Sequence, residues 1–99
     1  MAHALIWSDR ARADLFEILA YVDASSPFYA NAVSERFETR ADLLPDQPRQ
    51  GRRLPENRTD RDIREVFVHR WRLIYEVTPD AVLILAVLHG ARLIDDIAL

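Results

Sequence analysis

The N-terminal half of the chain shows a short alternating stretch and then two stretches with helical spacing. The segment "HALIWS", residues 3–8, alternates well enough to predict a strand. Ser8 or Asp9 then offers a helix N-cap, and we expect the first helix to end near residues 23–25. Its apolar positions recur at helical steps and are Ala11, Leu15, Ile18, Leu19 and Val22.

A second helix is predicted to start at the sequence "SSPF". Ser26 suits an N-cap, and Pro27 suits the first helical position, where its missing N–H is not needed. The apolar stripe of this helix continues to about Leu44 and consists of Ala30, Val33, Phe37, Ala41 and Leu44. Because only a few residues separate the two helices, we expect an antiparallel helical hairpin.

The C-terminal half is predicted to be a loop followed by three strands. Residues 45–62 hold three of the five prolines and no apolar periodicity, which indicates a loop with at most a short strand near Arg53 and Leu54. The strands that follow are residues 63–68, 71–77 and 82–88. Their short connections force antiparallel neighbours. The expected fold is therefore α+β, one domain over residues 1–99 in the order β-α-α-β-β-β.

The segment "IREVFVHRWRLIYEV", residues 63–77, has apolar and charged residues on both of its faces. If His69 and Arg70 form a two-residue turn, Arg64 lies on one face and Arg72 on the other. The predicted cross-strand pairs are Val68 with Trp71, Val66 with Leu73, Arg64 with Tyr75, Phe67 with Arg72, Glu65 with Ile74, and Ile63 with Glu76. Two helices cover one face of such a sheet, so we expect a partner to cover the other face.

Composition narrows the class of protein. The chain is 49% hydrophobic and 29% charged, which is typical of a globular domain. The absence of cysteine excludes disulfides, Cys-based zinc sites and a cysteine nucleophile. The three histidines lack metal-ligand spacing, so no metal is expected. Gly51 and Gly90 lie too far apart for a nucleotide-binding Gly-rich loop, and no cofactor is expected. With no long apolar run and no secretory signal, a cytoplasmic protein is expected.

Charge is distributed unevenly along the chain. The net charge of −3 argues against general nucleic-acid binding, and all 13 basic residues are arginine. Residues 49–72 hold eight arginines against four acidic residues, whereas both flanking segments are acidic. Arginine forms bidentate pairs with carboxylates, so this basic segment suits an acidic partner as well as a solvated loop.

Several stretches together resemble the RelE/ParE superfamily of toxins from bacterial toxin–antitoxin pairs. They are "DRARADLFEILAYVDASSPFYANAVSERF", "GRRLPEN", "IREVFVHRWRLIYEV" and "LILAVLHGAR", in the superfamily's order, over about residues 6–92. The long helical hairpin with "YV…SP" between its helices is most similar to the ParE branch. The resemblance implies the same β-α-α-β-β-β fold, with the helical hairpin packed on an antiparallel sheet.

The resemblance also implies a partner protein. A cognate, ParD-like antitoxin would wrap the toxin with its C-terminal segment and form a hetero-oligomer with it in the bacterial cytoplasm. The antitoxin would supply a ribbon-helix-helix part, so that operator DNA is bound only through the antitoxin.

The superfamily has two functional branches. ParE-like members bind DNA gyrase, whereas RelE-like members cut messenger RNA on the ribosome. The residues suited to RNA cleavage are Arg64, Arg72 and Arg92 as cations and His89 as the acid or base. The tail "LIDDIAL" lacks Tyr, His and Lys, and Asp95 and Asp96 would repel a phosphate. The tail therefore favours a gyrase inhibitor without catalytic residues. A ribosome-dependent ribonuclease and a harmless, degenerate member are the alternatives.

Six residues are predicted to bind a partner: Arg64, Trp71, Arg72 and Arg92 around the sheet, with Leu15 and Leu19 bordering an antitoxin groove. All of them except Arg92 have a structural alternative. Arg64 and Arg72 are equally suited to ion pairs with nearby acidic residues, and Trp71 and the two leucines to the core.

Overall fold

The computed structural model describes residues 3–90 of the chain. Its helices and strands are β1 (Ala4–Trp7), α1 (Asp9–Ser25), α2 (Pro27–Asp42), β2 (Arg52–Arg53), β3 (Ile63–Val68), β4 (Trp71–Val77) and β5 (Ala81–His89), with a 3₁₀ turn at Pro48–Gln50. The predicted α+β order is confirmed, and the short strand expected in the loop is β2. Neither α1 nor α2 is long and apolar enough to cross a membrane.

Two serines set the helix boundaries. The Ser8 hydroxyl accepts a hydrogen bond from the Ala11 N–H at 3.0 Å and so caps α1. Ser26 ends α1 by donating its backbone N–H to Val22, and its hydroxyl caps α2 by accepting from the Tyr29 N–H at 3.2 Å. One residue therefore serves both helices, which makes the helical hairpin tight.

The sheet has the strand order β1-β5-β4-β3-β2. Its last three long strands form the predicted antiparallel meander, and Val68 pairs with Trp71 across the expected two-residue turn. His69 adopts a φ of 53° in that turn, in the left-handed region that a two-residue hairpin requires. β1 joins the edge of β5 in parallel, so the expected antiparallel sheet is parallel at this one pair. The long connection between the two strands, through both helices and β2 to β4, allows this pairing.

Each face of the sheet carries its own apolar cluster. The face covered by α1 and α2, the helix face, packs Val33 and Phe37 against Leu73, Tyr75 and Ile84. The opposite face, here called the far face, has a smaller cluster. Its members are Leu54, Ile63, Ile74, Ala86 and Leu88.

We expected the far face to stay open until a partner covers it, and this expectation is wrong for the centre of the face. Ile63 and Ile74 are 1% and 0% exposed within the chain itself, and Leu54 from the long loop lies in the same cluster. At the rim, Phe67 remains half exposed beneath the Arg52 guanidinium, which lies 5.9 Å from the ring centroid. Because the chain itself covers the centre of this face, the face gives no argument for a partner.

Tyr75 anchors the long loop to the sheet. Its buried hydroxyl donates to the Pro48 carbonyl at 2.7 Å and accepts from the Gly51 N–H at 3.0 Å. A Cβ on Gly51 would lie 2.6 Å from that hydroxyl and 2.6 Å from the Glu65 carbonyl oxygen, so the contact requires glycine. The anchor therefore fixes where β2 meets β3.

Replacing Tyr75 by phenylalanine should lower the free energy of unfolding by about 1–3 kcal/mol, because it leaves the Gly51 N–H buried without an acceptor. Urea unfolding of the two proteins measures the difference. Tyr21→Phe is the matched control, since Tyr21 is 71% exposed. Equal stability of both variants would show that the anchor contributes nothing.

Stability should also fall in alkali because of Tyr75. Burial raises the pKa of Tyr75 above its ordinary value of 10.0, although the Gly51 hydrogen bond opposes this. As pH rises past the ordinary pKa of 10.0, the unfolded chain loses the phenolic proton before the folded chain does. The free energy of unfolding therefore decreases as pH rises. Tyr75→Phe lacks this contribution. The stability gap between wild type and variant should therefore shrink between about pH 8 and about pH 11 in urea titrations.

Candidate functional site

The predicted site residues do not form one cluster in the part of the chain that the structure describes. Trp71 and His89 share one groove, Leu15 and Leu19 line another, and Arg64 and Arg72 lie apart from both. Arg92 falls outside the described residues.

The larger groove, here called the tip groove, has a volume of about 560 Å³. It lies between the second half of α1, the start of α2, the β3–β4 turn and the end of β5, and it is lined by Glu17, Ile18, Tyr21, Tyr29, Trp71 and His89 among others. Trp71 also packs on Phe37 with ring centroids 5.9 Å apart. Trp71 therefore packs against the core, as its structural alternative predicts, and also lines the tip groove. Its role in binding a partner stays a prediction.

The edge of β5 beside the tip groove is partly capped by side chains. β1 ends at Trp7, so β5 continues past it with no strand from residues 3–90 on that side. The Ser8 hydroxyl donates to the Leu85 carbonyl at 3.1 Å, and the Asp14 carboxylate accepts from the Val87 N–H at 3.0 Å. Sequence reasoning missed the role of Asp14, because nothing distinguishes it from the other polar residues of an amphipathic helix.

The second groove, about 400 Å³, lies on the other side of α1. Leu15 and Leu19 line it as half-buried side chains that also pack against the core. Phe16, another lining residue, is 75% exposed. The two leucines thus border a groove as expected, and their contact with an antitoxin stays a prediction.

Arg72 lies in a chain of ion pairs on the far face. Its Nε donates to Glu65 at 2.6 Å and its Nη2 to Glu56 at 2.8 Å, while Arg52 pairs with the other oxygen of Glu65. The Glu65 side chain is 0% exposed and that of Arg72 is 5% exposed. Hydrogen bonding to Glu56 raises the pKa of Arg72 above its ordinary value. Glu65 raises this pKa further, whereas burial lowers it. The buried carboxylate of Glu65 therefore depends on these two cations.

Arg64 lies on the helix face at the opposite end of the hairpin from the tip groove. Its Nε donates to Asp62 at 2.9 Å and its Nη1 to the Gly51 carbonyl at 3.0 Å. Only 12% of its side chain is exposed. Arg64 thus supports the same loop that Tyr75 anchors.

The strand register separates the residues proposed for RNA cleavage. His89 pairs with Trp71, whereas Arg72 pairs with Leu88, so the side chains of His89 and Arg72 point to opposite faces of the sheet. Arg64 is four residues along β3 from the hairpin turn, which corresponds to about 13 Å. These three side chains do not converge on one phosphate. Within residues 3–90, no group of three His, Cys, Asp or Glu side chains is placed to hold a metal.

Comparison with known proteins gives a consistent result. The family described as "ParE toxin of type II toxin-antitoxin system, parDE" matches residues 5–94. Toxin RelE2 of Caulobacter vibrioides is 35% identical over 89 residues, which cover 90% of this chain and 97% of RelE2. A solved structure titled "Chromosomal ParDE TA system from P. aeruginosa" has a TM-score of 0.72 and 21% identity, covering 89% of this chain and 96% of the other. This last likeness shows the fold.

Replacing Glu65 by glutamine should lower the free energy of unfolding by about 3 kcal/mol, because Arg72 would remain buried with its charge only partly compensated. Chemical denaturation measures the loss. Glu35→Gln is the control, since it makes the same change on the exposed side of α2. A loss no larger than that of the control would show that the ion pairs do not stabilise the sheet.

Proposed function

The chain belongs to the ParE family of toxins from type II toxin–antitoxin systems, and on this premise we propose that it acts by binding and inhibiting DNA gyrase. A cognate antitoxin neutralises it, as the likeness to a ParDE pair supports. Operator DNA is contacted only through a ribbon-helix-helix part of that antitoxin, and the complex acts in the cytoplasm. The name of the Caulobacter relative, RelE2, keeps ribosome-dependent RNA cleavage as the alternative.

The observation that carries the proposal is the separation of the candidate catalytic side chains. Cleavage needs an acid, a base and a cation within hydrogen-bond reach of one phosphate. Here His89 and Arg72 lie on opposite faces of the sheet. Before it could bind a phosphate, Arg72 would also have to leave the buried Glu65, and breaking such a pair costs several kcal/mol. A toxin that acts by binding needs no such convergence.

The helical hairpin offers the surface that binding to a large protein requires. Three aromatic side chains on it, Phe16, Tyr21 and Phe28, are 75%, 71% and 86% exposed. Aromatic residues are enriched at protein interfaces, where they contribute large contact areas. Trp71, which packs against Phe37 and also lines the tip groove together with Tyr21, suits an anchor residue. Arg92 is proposed as a second contact.

The two activities are separated by assaying the purified chain, free of antitoxin, in parallel. We expect loss of gyrase supercoiling while messenger RNA on translating ribosomes stays intact. RNA cleavage with unaffected supercoiling would overturn the proposal in favour of the ribonuclease. If neither assay responds, the chain is a degenerate member that retains only antitoxin binding.

Trp71→Ala and Arg92→Ala should weaken growth inhibition and gyrase inhibition by about tenfold, whereas His89→Ala should change them by less than about threefold. Trp71→Phe serves as the control for packing, since it keeps an aromatic ring against Phe37, and thermal melts confirm folding. Loss of toxicity in His89→Ala alone, with antitoxin binding intact, would contradict the non-catalytic mechanism.

A further inference from the structure

The end of β5 has two main-chain groups without partners in the described part of the chain. The Gly90 N–H donates to the Arg70 carbonyl at 2.7 Å, so Gly90 and, two residues earlier, Leu88 turn their main-chain groups toward β4. Val87 and His89 therefore turn theirs to the outer side of β5, as the bond from the Val87 N–H to Asp14 confirms. Asp14 accepts from that N–H, but no described residue pairs with the Val87 carbonyl or the His89 N–H.

These two main-chain groups are oriented to form hydrogen bonds with one more strand. A residue of an added strand running parallel to β5, as β1 does, would donate to the Val87 carbonyl and accept from the His89 N–H. Both groups border the tip groove, whose volume of about 560 Å³ leaves space for the side chains of a short extended segment. Main-chain pairing of this kind supplies affinity, and the flanking pockets supply selectivity.

The lining of the tip groove indicates which side chains such a segment carries. Ile18, Val22 and the ring of Trp71 offer apolar contacts. Glu17 is exposed at the groove, and no described residue pairs with its carboxylate. The aromatic rings of Tyr21 and Tyr29 stand beside it, and aromatic faces attract cations. Arg70 also lines the groove, at the β3–β4 turn, so the preference for a basic side chain between apolar ones applies to the part of the groove beside Glu17.

We propose that an extended segment of the cognate antitoxin, with a basic residue flanked by apolar residues, adds to the open edge of β5 and fills the tip groove. Val87 and His89 bind its main chain, and Glu17 binds its basic side chain. This inference rests on the proposed function, because it takes the antitoxin to be the partner.

Amide hydrogen exchange tests the main-chain pairing directly. In the ¹⁵N-labelled full chain, exchange of the His89 amide should slow by at least about tenfold when purified antitoxin binds. The Phe67 amide is the matched control, since it lies on the opposite edge of the sheet, beyond the end of β2, and should not respond. An unchanged His89 amide in a formed complex would overturn the inference. So would a His89 amide already protected in the free chain.

A pair of substitutions at one position separates the main chain from the side chain. His89→Pro removes the outward N–H, which takes no part in the ladder with β4. Although proline also restricts φ, it is tolerated where a strand's N–H faces away from the sheet, so the strand is expected to persist. Its affinity for the antitoxin should be about tenfold lower than that of His89→Ala, which keeps the N–H. Equal affinities of the two folded variants would overturn the pairing. If His89→Pro fails to fold, the hydrogen-exchange result decides.

Reversing the charge of Glu17 tests whether the tip groove prefers a basic side chain. Glu17→Lys should weaken antitoxin binding by about tenfold, and Asp23→Lys, the same change on α1 outside the tip groove, by less than about threefold. Equal effects would show that only overall charge matters and would overturn the role of Glu17. An antitoxin that binds none of these proteins, including wild type, would instead overturn the proposed function itself.

Discussion

The register of the β3–β4 hairpin determines where nearly every candidate functional residue lies. Side chains alternate between the faces of a strand, so a slip by one residue would exchange the two faces. In the observed register Trp71 joins His89 on the helix face, and Arg72 joins Glu65 on the far face. The same register places Tyr75 where its hydroxyl meets the long loop. Grooves, ion pairs and the loop anchor all depend on this alternation.

Most arginines of the basic segment, residues 49–72, form ion pairs with acidic residues of the same chain. Arg52 and Arg72 pair with Glu65, Arg61 pairs with Glu76 at 3.1 Å, and Arg64 binds a carboxylate of its own loop. These arginines hold the long loop against the sheet, so they are poorly placed to attract nucleic acid. The exposed aromatic residues of the helical hairpin and the tip groove are better suited to contact proteins, which agrees with the proposed inhibition by binding.

The early end of β1 links the fold to the proposed antitoxin contact. At Ser8 the chain leaves the sheet, and the same side chain caps α1 and bonds to the Leu85 carbonyl. Six residues further along the chain, Asp14 accepts a hydrogen bond from the Val87 N–H. Beyond that point no strand in the described part of the chain pairs with the outer edge of β5, which borders the tip groove. A domain of this size buries a modest fraction of its surface, so a partner strand that extends the sheet would stabilise it further.

The joint order of several motifs in the sequence pointed to the family. The sequence by itself also determined the helices and their serine caps, the hairpin turn at His69 and the order of the elements. Those features depend on residues close in the chain, whose spacing reports the local period directly. Only the tertiary structure decided that the far face is covered near Ile63, that Arg72 is buried, and that Asp14 caps Val87. These features join residues far apart in the chain. Arg64 and Arg72 look alike in sequence, because burial and partners belong to the folded chain and not to local spacing.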